Sequence, residues 1–201
     1  MRSRLQLEPA IRLGPWCARM CCGLLLFSCL SIRCQTPEKA AFTPNDVEAA
    51  YLYNFGKFVQ WPAPPEANSQ TFSICILGQD TLGKKLDDIV AGETIQGSKV
   101  VAIHPQSAEA AASCRIVFIG TSEEGRLGKD LEVLGKKPVL TVSSIPGFVQ
   151  RGGIIQFVIQ SNRVRFAVNL PAARQAGLAP SSELLKVAVS VTTNPPQEEV
   201  R

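Results

Sequence analysis

Short apolar runs alternate with amphipathic segments along most of the chain, and this alternation is typical of an α/β protein. Each apolar run ends at glycine, proline or a polar cluster, as strands of a buried sheet commonly do. The predicted strands are residues 71–78, 98–105, 113–120, 137–144, 154–160 and 163–169. The predicted helices are residues 43–61, 82–92, 123–135 and 181–191.

The first predicted helix carries clear start and stop signals. Thr43 is a good N-cap residue, Pro44 suits the first helical position, and Pro62 prevents the helix from continuing. Its large apolar residues recur at helical spacing and form one stripe: Val47, Tyr51, Phe55 and Phe58.

The last two predicted strands are joined only by Ser161 and Asn162, which indicates a β-hairpin. In the second of these strands Val164, Phe166 and Val168 alternate with polar residues, so we expect them to face the core. The whole pattern predicts a single α/β domain that has a mostly parallel sheet, an antiparallel edge hairpin and helices on both faces.

Residues 1–34 differ from the rest of the chain in charge and apolarity. They hold five arginines against Glu8, and the apolar run MCCGLLLFSCLSI lies between Arg19 and Arg33, which is the pattern of a secretory signal peptide. The run is shorter than the roughly 20 residues that span a bilayer. We expect cleavage between Cys29 and Gln35. A buried core helix is one alternative, and lipoprotein-type processing with a lipid on Cys29 is another.

Removal of this leader would leave a domain at 35–194 and a polar tail at 195–201 that we expect to be disordered. The leader accounts for the whole formal charge of +4, and sixteen basic and sixteen acidic residues remain from Gln35 onward. A neutral domain offers no electrostatic attraction to nucleic acid, so we expect no nucleic-acid partner. The leader predicts that the domain is exported from the cytoplasm.

Five of the seven cysteines lie in the leader, and Cys75 and Cys114 remain in the predicted domain. Two cysteines in an exported domain are a candidate disulfide, whereas two unpaired buried thiols are the alternative. Neither cysteine has a histidine or a further cysteine at metal-ligand spacing, so we expect no metal site.

The segment ICILGQDTLGKKL, residues 74–86, has the glycine and lysine spacing of a phosphate-binding loop. However, Lys85 occupies the position where such loops carry a magnesium-binding hydroxyl, and Asp80 would repel phosphate inside the loop. We therefore expect a packing turn around Gly78, without a nucleotide.

Other catalytic groups are sparse. His104 is the sole histidine, and we interpret it as a solvent-facing loop residue. The acidic pairs Asp87-Asp88 and Glu123-Glu124 fall at predicted helix starts or on exposed faces. No acid, base and nucleophile are assembled, so we expect neither catalysis nor a cofactor.

Aromatic residues are concentrated in the first helix. Five of them stand within eleven residues, and one helical stripe cannot bury them all. They are Tyr51, Tyr53, Phe55, Phe58 and Trp61. Either some reach the surface and contact a protein or a small ligand, or all of them wrap around the core.

Several segments together resemble the YfiR/HmsC-like family of exported regulators, over about residues 43–191. They are EAAYLYNFGKFVQWP, FSICILG, CRIVFIG, LTVSS with GFVQRGGIIQF, VRFAVN and SSELLKVA. The resemblance implies a periplasmic, non-enzymatic α/β protein, often a homodimer, in which the family's first disulfide corresponds to Cys75 and Cys114.

The resemblance also implies partners. Family members bind the periplasmic sensor part of an inner-membrane diguanylate cyclase and hold it inactive, which lowers cyclic di-GMP and biofilm formation. An OmpA-like outer-membrane lipoprotein in turn sequesters them. We expect the partner contacts on the aromatic helix and the hairpin, at Tyr51, Tyr53, Phe58, Trp61, Ile155, Arg165 and Ala167.

The chain departs from the family pattern at two places. Val149 and Gln156 stand where some members carry a second cysteine pair, so we expect one disulfide only. Ala167 stands where many members carry an acid, which favours a different receptor, such as a histidine kinase.

A second hypothesis is a periplasmic small-ligand-binding protein that serves a transporter or a histidine kinase. Its ligand would lie at the mouth of the sheet near Gly78 and Gly120, where open α/β sheets commonly bind ligands.

Overall fold

In a computed structural model, the protein is described at residues 43–62, 71–79, 81–82 and 84–194. The predicted leader with Cys29, the predicted tail at 195–201 and Asp80 lie outside the described residues. The described residues all belong to one compact unit. Within the described part of the chain, every helix is too short or too polar to cross a membrane.

The helices are α1 (Pro44–Phe58), α2 (Lys84–Val90), α3 (Ala108–Ala111), α4 (Leu127–Leu134), α5 (Leu170–Gln175) and α6 (Ser182–Val187). A 3₁₀ helix spans Thr121–Arg126. The first five strands are β1 (Val59–Gln60), β2 (Thr71–Leu77), β3 (Thr94–Ile95), β4 (Ser98–Ile103) and β5 (Ile116–Ile119). The other five are β6 (Leu140–Ser143), β7 (Ile155–Gln160), β8 (Arg163–Asn169), β9 (Ala179–Pro180) and β10 (Ser190–Thr192).

Eight strands form one sheet in the order β10-β8-β7-β6-β5-β2-β4-β3. All neighbours are parallel except β3 with β4 and β7 with β8. The predicted fold class, a mostly parallel sheet with an antiparallel hairpin, is therefore confirmed. The short strands β1 and β9 pair separately.

The C-terminal segment differs from its prediction. A helix was expected over residues 181–191, but α6 ends at Val187, and residues 190–192 form β10 parallel to β8. Ala188 is extended, with ψ 142°, and the Val189 amide donates a hydrogen bond to the Phe166 carbonyl. β8 would otherwise leave its outer backbone groups unpaired, so this pairing prevails over local helix propensity. The hairpin consequently lies one strand in from the sheet edge.

The central strands are buried on both faces, and successive residues divide between two cores. Ile74 and Ile76 of β2 face the core under α1 and α2, whereas Cys75 and Leu77 face the core under α3 and α4. Helices therefore cover both faces of the sheet, as predicted.

The predicted disulfide is present. Cys75 of β2 is bonded to Cys114, which precedes β5, and their Cα atoms lie 6.1 Å apart. The bond closes a loop across 39 residues, for which chain entropy gives a stabilisation of about 4 kcal/mol.

α1 begins as its sequence predicts. Thr43 and Asp46 form a reciprocal capping box, and Pro44 occupies the first turn. The helix then lays its aromatic stripe over the hairpin, where the Phe55 and Phe166 ring centroids lie 5.1 Å apart and those of Tyr51 and Phe166 5.4 Å apart. This contact fixes α1 across β7 and β8.

Candidate partner-binding site

The two tyrosines of α1 differ in burial and in the groups that they contact. Tyr51 is half-buried and stacks on Phe55, at 5.8 Å between ring centroids. Tyr53 is buried, its hydroxyl donates a hydrogen bond to Glu93, and the Lys57 ammonium lies 4.0 Å above its ring. Tyr53 therefore attaches α1 to the residue that precedes β3, and it presents little surface to a partner.

Phe58 and Trp61 also diverge. Phe58 is 42% exposed, whereas Trp61 is half-buried and packs edge-on against Phe72 at 5.2 Å. The Trp61 indole donates a hydrogen bond of 3.3 Å to the Arg115 carbonyl. Trp61 thus serves mainly to hold the end of α1 against the sheet.

An apolar groove runs between α1 and α6, and we call it the α1–α6 groove. Its volume is about 380 Å³. It is lined by Tyr51, Asn54, Phe55, Phe58, Phe166, Glu183, Leu184 and Val187. Phe58 and Val187, which is 56% exposed, leave this part of the surface apolar, and Val189 just beyond is 40% exposed. Such a patch is a candidate protein contact.

The hairpin residues that were expected at the interface are placed differently. Ile155 is fully buried and Ala167 is 7% exposed, so neither belongs to the protein surface. Ile155 alternates into the core opposite Val168, and Ala167 is paired with Ser190 of β10. Of the three hairpin residues expected at the interface, Arg165 is the exposed one. The structure therefore brings Tyr51 and Phe58 together in the α1–α6 groove, without Tyr53 and Trp61.

The mouth of the sheet, where the ligand hypothesis placed its site, is occupied by protein. The Gln79 amide donates a hydrogen bond of 2.8 Å to the Ser122 hydroxyl. A Cβ atom at Gly78 would lie 2.5 Å from that hydroxyl oxygen and 2.7 Å from Glu123. The start of the segment that resembles a phosphate-binding loop, Gly78 and Gln79, therefore packs on the 3₁₀ helix.

The two lysines after this turn are engaged with carboxylates. Lys84 pairs with Asp88, and Lys85 pairs with Asp46 at 3.2 Å. Both are directed along the helices rather than into the turn, which is the arrangement expected of a packing turn.

Glu123 was expected at a helix start or on an exposed face, and it lies in the first turn of the 3₁₀ helix. Its side chain is buried, and its carboxylate accepts hydrogen bonds from the Arg126 guanidinium. His104, Asp87 and Asp88 are exposed, as expected. Within the described residues, no three His, Cys, Asp or Glu side chains are grouped so that they could hold a metal ion.

Sequence reasoning missed Glu48. This residue of α1 is 7% exposed, and its carboxylate accepts a hydrogen bond of 2.8 Å from the Ser144 hydroxyl. Burial raises its pKa above the ordinary value, and the bond from Ser144 opposes that rise. A signal was present: Glu48, Leu52 and Phe55 share one helical face, so the spacing alone places Glu48 inside.

Val149 and Gln156, the positions of a second cysteine pair in some family members, are neighbours here. The Val149 amide donates a hydrogen bond of 3.4 Å to the Gln156 side chain, and the Asn169 side chain donates one of 2.8 Å to the Val149 carbonyl. Polar contacts therefore join the glycine turn to β7 and β8 where those relatives have a covalent bond.

Among solved structures, the chain is similar to a conserved domain protein from Vibrio cholerae O1 biovar El Tor, with a TM-score of 0.55 and 12% identity. That match covers 75% of this chain and 61% of that one, and it shows the fold alone. The chain is also similar to the ABC domain from Streptococcus pneumonia in complex with L-Trp, with a TM-score of 0.46 and 12% identity over 74% of this chain and 60% of that one. The chain thus spans about three-fifths of either protein's length.

None of the curated proteins compared with the chain matches it. A family model described as YfiR/HmsC-like matches residues 45–189, well over half of the 201 residues. The match includes α1, the whole disulfide loop and the hairpin, which are the segments on which the resemblance rests. The chain belongs to the YfiR/HmsC-like family, which supports a periplasmic, regulatory and non-catalytic role in general.

Proposed function

We propose that this protein binds the periplasmic sensor domain of an inner-membrane diguanylate cyclase and holds the enzyme inactive. Cyclic di-GMP and biofilm formation would fall as a result. The observation that carries the proposal is the family match over residues 45–189. The exposed apolar α1–α6 groove provides a surface for such a contact.

The groove has the chemistry of a protein interface. Its rim presents an aromatic ring, Phe58, and a branched aliphatic side chain, Val187, beside the polar Asn54 and Glu183. Aromatic anchors in an apolar patch with a polar edge dominate the energy of many interfaces. Arg165 is exposed on β8, but its neighbour Phe166 faces α1, so alternation along the strand directs Arg165 to the other face of the sheet, away from the groove.

Repression requires that the protein prefer one conformation of the cyclase. A binder shifts a two-state equilibrium only by the ratio of its affinities for the two states. A preference of about 1,000-fold for the inactive sensor, roughly 4 kcal/mol, would silence most copies of the enzyme. This mechanism requires binding only and no catalysed reaction by the protein.

The direct test is capture of a cyclase from membranes. Tagged protein should recover a membrane protein that carries a diguanylate cyclase domain, and Phe58→Ser should reduce the recovery at least tenfold, because the aromatic anchor is lost. Ile103→Ser is the matched control, since Ile103 is a 45% exposed apolar residue of β4 outside the groove. Equal recovery by Phe58→Ser and the parent would contradict this use of the groove.

The family resemblance extends the proposal to two other partners. These are an OmpA-like outer-membrane lipoprotein that sequesters the protein, and a second copy of the chain in a homodimer. Crosslinking in the periplasm followed by mass spectrometry tests both, and a chain that stays uncrosslinked and monomeric at cellular concentration would remove them.

The second candidate function is small-ligand binding for a transporter or a histidine kinase. The packing of Ser122 and Glu123 against Gly78 disfavours the mouth of the sheet as its site. The volume of the α1–α6 groove, about 380 Å³, is what favours this function, since ligand sites commonly measure 300–1,000 Å³. Native mass spectrometry of protein purified from the periplasm tests it, because a stoichiometric bound molecule would support it over the cyclase.

A further inference from the structure

A second cavity lies between the first half of α1, the segment that follows β6, and β7. Its volume is about 280 Å³. We call it the Glu48 cavity; it is lined by Glu48, Ser144, Pro146, Gln156, Phe157, Val158 and Ile159. It shares no lining residue with the α1–α6 groove. The proposed cyclase contact therefore does not account for it.

The Glu48 carboxyl group is unusual because it is buried without a cation. Its side chain accepts one hydrogen bond, from the neutral Ser144 hydroxyl, and no basic group pairs with it among the residues that the structure describes. A buried carboxylate is costly unless it is paired, and it can accept about four hydrogen bonds. The protein thus leaves most of the bonding capacity of this group unused.

The remaining walls limit what could fill this capacity. Gln156 and Ser144 add an amide and a hydroxyl, whereas Phe157, Ile159 and Pro146 are apolar. An anion would be repelled by Glu48, and a neutral apolar molecule would leave the carboxylate unpaired. A cationic group on a short apolar stem would pair with the carboxylate and also contact the apolar side chains.

We propose that the Glu48 cavity binds an ammonium or guanidinium group carried on a short apolar stem. Glu48 accepts hydrogen bonds from the cation. The Ser144 hydroxyl orients the carboxylate by donating a hydrogen bond to Glu48 Oε1. The stem packs on Phe157 and Ile159. The source of the cation is either a free amine or a basic side chain of a partner protein, and the inference does not depend on that partner being a cyclase.

The test is an NMR titration of the full mature protein with three probes: butylammonium, butylguanidinium and neutral butyramide. Both cations should produce saturable shifts of the Glu48, Ser144 and Ile159 amide signals, and butyramide should not. A midpoint below about 1 mM assigns the site to a free amine, and a higher midpoint assigns it to a protein side chain, because a fragment lacks the rest of that interface.

Glu48→Gln separates binding from a purely structural role, since the amide preserves shape and the contact with Ser144 but removes the charge. It should weaken cation binding at least tenfold, whereas Glu132→Gln, at an exposed carboxylate of α4, should leave it unchanged. Ile159→Ala, at a side chain that is 63% exposed, should weaken it about threefold because less of the stem is covered.

Two results would overturn the proposal. One is the absence of saturable shifts at these amides with either cation up to about 50 mM, because a weaker affinity would not indicate a specific binding site. The other is Glu48→Gln protein that gives a folded spectrum and binds the cations as tightly as the parent.

Discussion

At the scale of single residues, the described structure depends on close approaches at glycine and on buried carboxylates. Gly152 has a φ of +99°, which only glycine adopts without strain, and Gly153 lies against the ring of Phe148. Glu48 and Glu123 are buried carboxylates in segments that read as ordinary amphipathic helix. The packing of both kinds of residue is determined by contacts with other side chains in the folded structure.

Gly153→Ala should destabilise the protein. The new Cβ atom would lie 2.1 Å from the Phe148 ring, so a fully buried side chain must shift, at a cost of about 1–3 kcal/mol. Gly128→Ala is the matched control, because a Cβ atom there meets open space within α4, and it should be neutral or slightly stabilising. Urea unfolding measures both; equal midpoints for the two variants would refute the packing argument.

Glu48→Gln should raise the free energy of unfolding at pH 7 but not at pH 4. Because burial raises the pKa of folded Glu48 above its ordinary 4.5, the folded state retains a proton that the unfolded state releases. Stability conferred by the neutral form is therefore present below pH 4.5 and is lost as the pH rises through the folded pKa. Thermal unfolding of both proteins in amine-free buffer at the two pH values checks this, and a stability difference independent of pH would count against it.

At the scale of elements, patterning predicts most helices and strands because each has a local cause. The capping box predicts the start of α1, and the two-residue link predicts the hairpin, where Ser161 and Asn162 both adopt positive φ. The segment after α6 was mispredicted because its strand state depends on β8, which local propensity does not include. Likewise, the α1–α6 groove forms only where two helices meet. The aromatic cluster of the sequence indicated the α1 side of this groove but not the α6 side.

The disulfide joins β2 to the residue before β5, and its removal should be costly. A double variant, Cys75→Ala with Cys114→Ala, should lose about 4 kcal/mol, because the unfolded chain regains the freedom of the closed loop. Reductant should lower the melting temperature of the parent and leave that of the double variant unchanged. A double variant as stable as the oxidised parent would mean that the bond contributes no net stability.

At the scale of the whole molecule, family membership and fold were both predictable, since the quoted segments are distributed along the chain from residue 48 to residue 188, within the matched range 45–189. The proposed interaction surface was only partly predictable. Burial removed Ile155 and Ala167 from it, and Tyr53 and Trp61 proved to be held by internal contacts. Surfaces depend on which side of an element stays uncovered, and that is a property of the assembled fold rather than of any segment.

Export with cleavage between Cys29 and Gln35 is a prediction for the part of the chain outside the described residues. Mass spectrometry of protein from a periplasmic fraction should find a new N-terminus within that interval, and an acyl group on Cys29 if processing is of the lipoprotein type. A chain that begins at Met1 and remains in the cytoplasm would contradict the whole periplasmic account.

The most direct measurement of the central claim is cyclic di-GMP in cells that lack the gene. Deletion should raise the cyclic di-GMP level severalfold, because the cyclase loses its repressor. The parent gene and the Ile103→Ser variant should restore the original level, whereas Phe58→Ser, expressed to the same amount, should not. If deletion leaves cyclic di-GMP unchanged, the protein does not repress a diguanylate cyclase.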